Sequence, residues 1–116
     1  MGYIRHQALI LQYDASHPPD TSIDDAMKAL GERVIDGVSK HKASGHIGGP
    51  FLGVNRYIWW FIAPDGSKEG WAYSNAMAEV REEAERIFAG RGRVIRVECG
   101  GDDDNIRADE VAARGR

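Results

Sequence analysis

Val54-Asn55-Arg56-Tyr57-Ile58-Trp59-Trp60-Phe61-Ile62-Ala63 is the densest run of aromatic and β-branched residues in the chain, and it reads as a strand. Side chains alternate across a strand, so Tyr57, Trp59 and Phe61 point one way while Ile58, Trp60 and Ile62 point the other. Both sets are large and apolar. Such a strand is either covered on two sides or leaves one apolar side bare. C-terminal to it, Pro64-Asp65-Gly66-Ser67 is turn chemistry, and Glu69 to Tyr73 is placed to return as a short hairpin strand. N-terminal to it, Ala43 to Gly53 carries Gly45, Gly48, Gly49, Gly53 and Pro50 and reads as a loop.

Working outward, Tyr3 to Tyr13 is a strand whose half Ala8-Leu9-Ile10-Leu11 is apolar on both faces. A loop over 14–20 follows, since Pro18 and Pro19 cannot continue a ladder. Thr21 or Ser22 caps a helix whose stripe is Ile23, Met27, Leu30, Val34 and Val38, ending near Lys40 to Lys42. Ser74 or Asn75 caps a second helix with the stripe Met77, Val80, Ala84, Ile87 and Phe88, and Gly90 terminates it. Arg93 to Cys99 alternates as a last strand, with Ile95, Val97 and Cys99 inward and Val94, Arg96 and Glu98 outward. The order strand, helix, strand, strand, helix, strand predicts an α+β, ferredoxin-like two-layer sandwich. Two helices would cover one face of a four-stranded antiparallel sheet. Residues 1–99 form the single domain, and residues 100–116 read as an acidic, loosely docked tail.

The chain has 116 residues and 12.8 kDa, with 42% apolar and 28% charged residues, an ordinary balance for one globular domain. It contains no run of eighteen apolar residues and no signal-peptide layout, so a cytoplasmic protein is expected, with no membrane partner. A net charge of −3 without a basic block disfavours nucleic acid. One cysteine, Cys99, excludes an internal disulfide.

Two helices cover only one face of such a sheet. Each large apolar side chain left in water on the other face costs on the order of 1.5–3 kcal/mol. The sheet aromatics Tyr57, Trp59, Trp60 and Phe61, with Arg96, are therefore binding candidates, joined by Lys68 and Glu69 at the hairpin tip. Burial by another copy or a different protein ranks first, cover by the chain's own loop or tail second, and a stacking ligand third. Lys40, His41, Lys42 and His46 flank a glycine-rich stretch that could hold an anion. Phosphate loops precede a helix, however, and this one follows a helix, so a flexible connection or lid is the better reading. The four histidines show no metal-ligand spacing, and Asp102-Asp103-Asp104 lacks the rest of a calcium loop, so neither metal nor cofactor is expected. Cys99 reads as a small core residue, with a pairing to His6 conceivable across adjacent strands.

The hairpin sequence Ala63-Pro64-Asp65-Gly66-Ser67-Lys68-Glu69-Gly70-Trp71, the N-terminal Ile4-Arg5-His6 and the late stretch Val97 to Asp104 together resemble a group of small, uncharacterised proteins encoded by tailed bacteriophages. The resemblance is specific over the hairpin and covers about half the chain. It departs in the Pro18-Pro19 loop and in a shortened C-terminal region. It implies a phage accessory product acting in the host cytoplasm, and it carries over no activity and no catalytic residue. The leading functional expectation is a non-catalytic, dimeric phage accessory protein that binds a host or phage macromolecule through the aromatic sheet face. The alternatives are a binder of a small nucleotide-like ligand and a small enzyme using His6, His41 or His46 as acid or base.

Overall fold

The structure, a computed structural model, describes residues 5–15, 21–68, 70–100 and 106–111. Its centre is β1, Arg5–Asp14, flanked on one side by β5, Tyr57–Ile62, and on the other by β6, Gly92–Gly100. With β4, Ile47–Leu52, and β7, Arg107–Glu110, the sheet order is β4-β5-β1-β6-β7, and every neighbouring pair is antiparallel. Directly opposed residues share a face, and the register places Leu11 between Trp60 and Val94, and Leu9 between Ile62 and Arg96. Leu9, Leu11, Tyr13, Trp60, Ile62 and Val94 are accordingly buried on one face, under α1, Thr21–Gly31, and α2, Ala72–Phe88.

The helices bury Ile23, Met27 and Leu30 from α1 and Met77, Val80, Ala84, Ile87 and Phe88 from α2, the positions the three-and-four spacing picks out. Asp24 of α1 satisfies two core aromatics at once. Its Oδ1 accepts from the Tyr13 hydroxyl at 2.8 Å and from the Trp60 indole N–H at 3.3 Å. This is the arrangement expected where rings with a polar handle enter a core.

Several expectations are corrected. The first helix stops at Gly31 rather than near Lys40 to Lys42, and Val34 and Val38 are 52% and 96% exposed instead of belonging to its stripe. β2, Val34–Asp36, and β3, His41–Lys42, form a small separate hairpin there. The β-branched pair Val34-Ile35 favours strand, only Ile35 is buried, and Asp36 organises the turn by accepting from the Val38 and Ser39 amides. The spacing from Leu30 to Val34 to Val38 mimics a helical stripe without being one.

Glu69 to Tyr73 does not return as a strand: Ala72 and Tyr73 are already in α2, which starts before Ser74 and Asn75, and Glu69 lies outside the described residues. The reason is topological, since both edges of β5 are taken, by β1 and β4. The glycine-rich stretch read as loop supplies β4. A Cβ on Gly49, whose φ is +133°, would stand 2.8 Å from the Trp60 ring, so the glycine permits a close backbone approach over the core indole.

β6 has its faces opposite to expectation. Val94 is buried and Arg96 points to α2, while Ile95, Val97 and Cys99 lie on the sheet's other face. Within the stretch read as a tail, residues 107–110 form β7 and the Val111 amide donates to the Val94 carbonyl at 2.8 Å, so that part is sheet. Pro18, Pro19 and Asp102 to Asp104 lie outside the described residues, among which no helix is long and apolar enough to cross a membrane.

Candidate functional site

The face of the sheet away from the helices is built by alternation. Register places Ile10 between Phe61 and Ile95, Ala8 opposite Val97, Gln12 between Trp59 and Arg93, and His6 opposite Cys99. Phe51 of β4 joins Phe61, with ring centroids 5.7 Å apart and planes tilted by 56°. Phe51, Phe61 and Tyr57 are 53%, 38% and 37% exposed, a concentration of bare aromatic surface on one side of one sheet. Trp59 is half-buried because the turn at Gly53 lies against its edge, where a Cβ would stand 2.8 Å from the indole nitrogen. Ionisable groups stand around the margin of the face: Asp14 opposite Tyr57, His6 opposite Cys99, and Glu110, opposite Ile95 on the edge strand β7, which accepts from Arg93 Nε at 2.8 Å. That contact raises the Arg93 pKa, chiefly through the hydrogen bond to Glu110. Among the described residues the centre, on β1, β5 and β6, holds Ala8, Ile10, Trp59, Phe61, Ile95 and Val97 and no ionisable side chain.

Of the residues singled out from sequence, Tyr57, Trp59 and Phe61 stand on this face. Trp60 does not, being 3% exposed in the core. Arg96 is on the helix side, where its fork binds Glu85 at 2.7 and 2.9 Å and raises the arginine's pKa. Lys68 sits in the loop before α2 with its ammonium 5.7 Å from the centre of the Trp71 ring. Lys40, His41, Lys42 and His46 do not converge on one anion. Lys40 is exposed in a turn at φ +56°, Lys42 pairs with Glu32 at 2.6 Å, and His41 Nδ1 lies 3.8 Å from Asp36 Oδ2.

His46 enters a cluster that the sequence reading missed. Its Nε2 is 2.7 Å from the hydroxyl of Tyr73, in the first turn of α2, and the rings of His46 and His41 stand edge-on to the Tyr73 ring with centroids 5.9 and 6.4 Å away. Burial, then the charges of Asp65 and Asp36, push the Tyr73 pKa above its usual 10.0. Asp36 accepts from the Ser39 hydroxyl and Asp65 from the Ser67 hydroxyl. The Ser39 hydrogen bond, followed by the Val38 amide, holds the Asp36 carboxyl below its usual 3.8. The cluster knots the β2–β3 hairpin, the 3-10 turn Ala43–His46 and the start of α2 together, and its two carboxylates make it inhospitable to an anion. Among the described residues no group of three or more His, Cys, Asp or Glu side chains is placed to hold a metal ion. Comparison with protein families, with curated proteins and with solved structures gives no match, which leaves the sheet face and its chemistry as the grounds for a functional reading.

Proposed function

We propose that this chain is a non-catalytic interaction protein that works as a homodimer, the open sheet face of one copy packing on the same face of another. The observation that carries the reading is the charge-free, aromatic centre of that face. An interface built on a two-fold axis requires a patch to complement itself. A charged centre would repel its own copy, whereas an apolar one does not, and facing sheets pack comfortably about 10 Å apart. Five strands about 4.8 Å apart and about six residues long span roughly 500 Å² in projection. Two such faces bring together about 1,000 Å², the lower bound for a specific interface.

The core β1-α1-β4-β5-α2-β6 is read as a ferredoxin-like arrangement, to which the β2–β3 hairpin and β7 are additions; the order β4-β5-β1-β6 within the sheet supports this. The Ala63 to Trp71 stretch that resembles the phage group supports placing the dimer among phage accessory proteins of the host cytoplasm.

Size-exclusion chromatography with light scattering tests the interface. The wild-type chain is expected at twice 12.8 kDa and Phe61→Glu at 12.8 kDa, because a carboxylate buried without a counter-ion costs several kcal/mol. Val38→Glu, a substitution at the exposed hairpin tip, should leave the dimer intact. Equal masses for the wild type and Phe61→Glu would remove the proposal, with a monomeric wild type leaving a different macromolecule as the occupant of the face.

A further inference from the structure

On the helix side of the sheet, a cleft of about 160 Å³ opens between α2 and the ends of β1 and β6. Its polar lining is Gln7, Arg81, Glu82, Glu85, Arg96 and Glu98. Arg96 and Glu85 neutralise one another through the fork already described, and the Glu85 side chain is only 11% exposed. Arg81 is different. Its Nη2 donates to the neutral amide oxygen of Gln7 at 2.8 Å, and its Nη1 is buried with no hydrogen-bond partner among the described residues. Gln7 in turn reaches Glu98 only at 3.4 Å. Burial lowers the Arg81 pKa, while Asp65, Glu85 and Glu82 act on it in the opposite sense through space.

A guanidinium drawn out of water without a bound carboxylate is an expensive arrangement, and planar forked donors are matched best by a carboxylate. Once Arg96 and Glu85 cancel, the cleft retains one cation, Arg81, and two anions, Glu82 and Glu98. A simple anion would meet Arg81 but be repelled by the two glutamates. A simple cation would leave Arg81 as it is. A molecule carrying both charges a few bonds apart answers both ends. We propose that this cleft is a binding site for a small zwitterion of the α-amino-acid type, its carboxylate taken by Arg81 and its ammonium by Glu98 and Glu82. The volume is close to that of a cavity that accommodates benzene, about 150 Å³, which limits the ligand to small amino acids. Because the cleft lies on the opposite side of the sheet from the apolar face, the outcome is independent of the dimer.

Isothermal titration calorimetry of the full chain with glycine, L-alanine, L-serine and L-valine tests the site, with acetate and ethylamine as single-charge probes. At least one amino acid should bind saturably, neither single-charge probe should bind at the same concentrations, and Arg81→Gln should weaken the affinity at least tenfold. Near-UV circular dichroism reports whether that variant keeps its fold. If it does not, Glu98→Gln carries the test with the same tenfold expectation. Absence of binding by all four amino acids, equal binding of acetate, or an affinity unchanged by the substitution overturns the proposal.

Discussion

Trp59 and Trp60 are neighbours in the chain with opposite surroundings. Trp60 is sealed beneath α1, its indole N–H on Asp24 and the Gly49 backbone against its ring. Trp59 faces away from the helices, half-buried between its cross-strand neighbours Gln12 and Phe51 with the turn at Gly53 against its edge. Removing a buried aromatic ring leaves a cavity that the surroundings close only in part, so Trp60→Ala should lower the stability of the dilute, monomeric chain by about 3–5 kcal/mol. Trp59→Ala should cost clearly less, since its site is already half open to water. Urea denaturation of both variants checks this, and equal losses would contradict the assignment of the two faces. The alternation that separates these residues was visible in Tyr57 to Ile62 because every second side chain there is large. In Arg93 to Cys99 it was not decisive: Val94 on one side and Ile95 on the other are equally apolar, and only pairing with Leu11 tells which is inward. Asp24 is an acid in the first turn of α1, where the helix dipole favours it, but its service to Tyr13 and Trp60 depends on where α1 crosses the sheet.

At the scale of elements, the two helices and the three long strands β1, β5 and β6 followed from periodicity, whereas the short pieces between them did not. A strand of three residues and one of two carry too few side chains for a period, and a glycine-rich edge strand looks like a loop until its packing is known. The β2–β3 turn has a clear chemical control. Its amide and hydroxyl donors hold the ionised form of Asp36, which lowers the carboxyl's pKa below 3.8. The group is therefore more acidic folded than unfolded. Its contribution to the turn is complete above pH 3.8 and is lost as the pH falls through the lower folded value. Amide shifts of Val38 and Ser39 followed by NMR on acidification should move together, with a shared midpoint below 3.8. A titration midpoint at or above 3.8 would contradict the assigned hydrogen bonds. The His46–Tyr73 contact was out of reach from sequence, because the two residues are 27 positions apart and meet only when α2 begins at Ala72 rather than at Ser74.

For the whole molecule, the surplus of apolar sheet over helix cover was the legible feature, and it survives in changed form. Trp60 and Arg96 leave the face, while Ile95, Val97 and Phe51 join it, so the surface becomes more uniformly apolar than the sequence implied. A fifth strand, β7, extends the sheet without covering that face, its Arg107–Glu110 side chains all being exposed. Neither helix reaches the face, since both pack against Leu9, Leu11 and Trp60 on the other side. A domain of this size gains only a small net stability from folding, so a broad apolar surface left in water is a substantial burden, and a second copy relieves it with no new chemistry. Sedimentation equilibrium of the unmodified chain over a range of micromolar concentrations is the most direct trial of that idea. The expected result is a mass of twice 12.8 kDa that falls toward 12.8 kDa on dilution; a mass of 12.8 kDa at every concentration would contradict it.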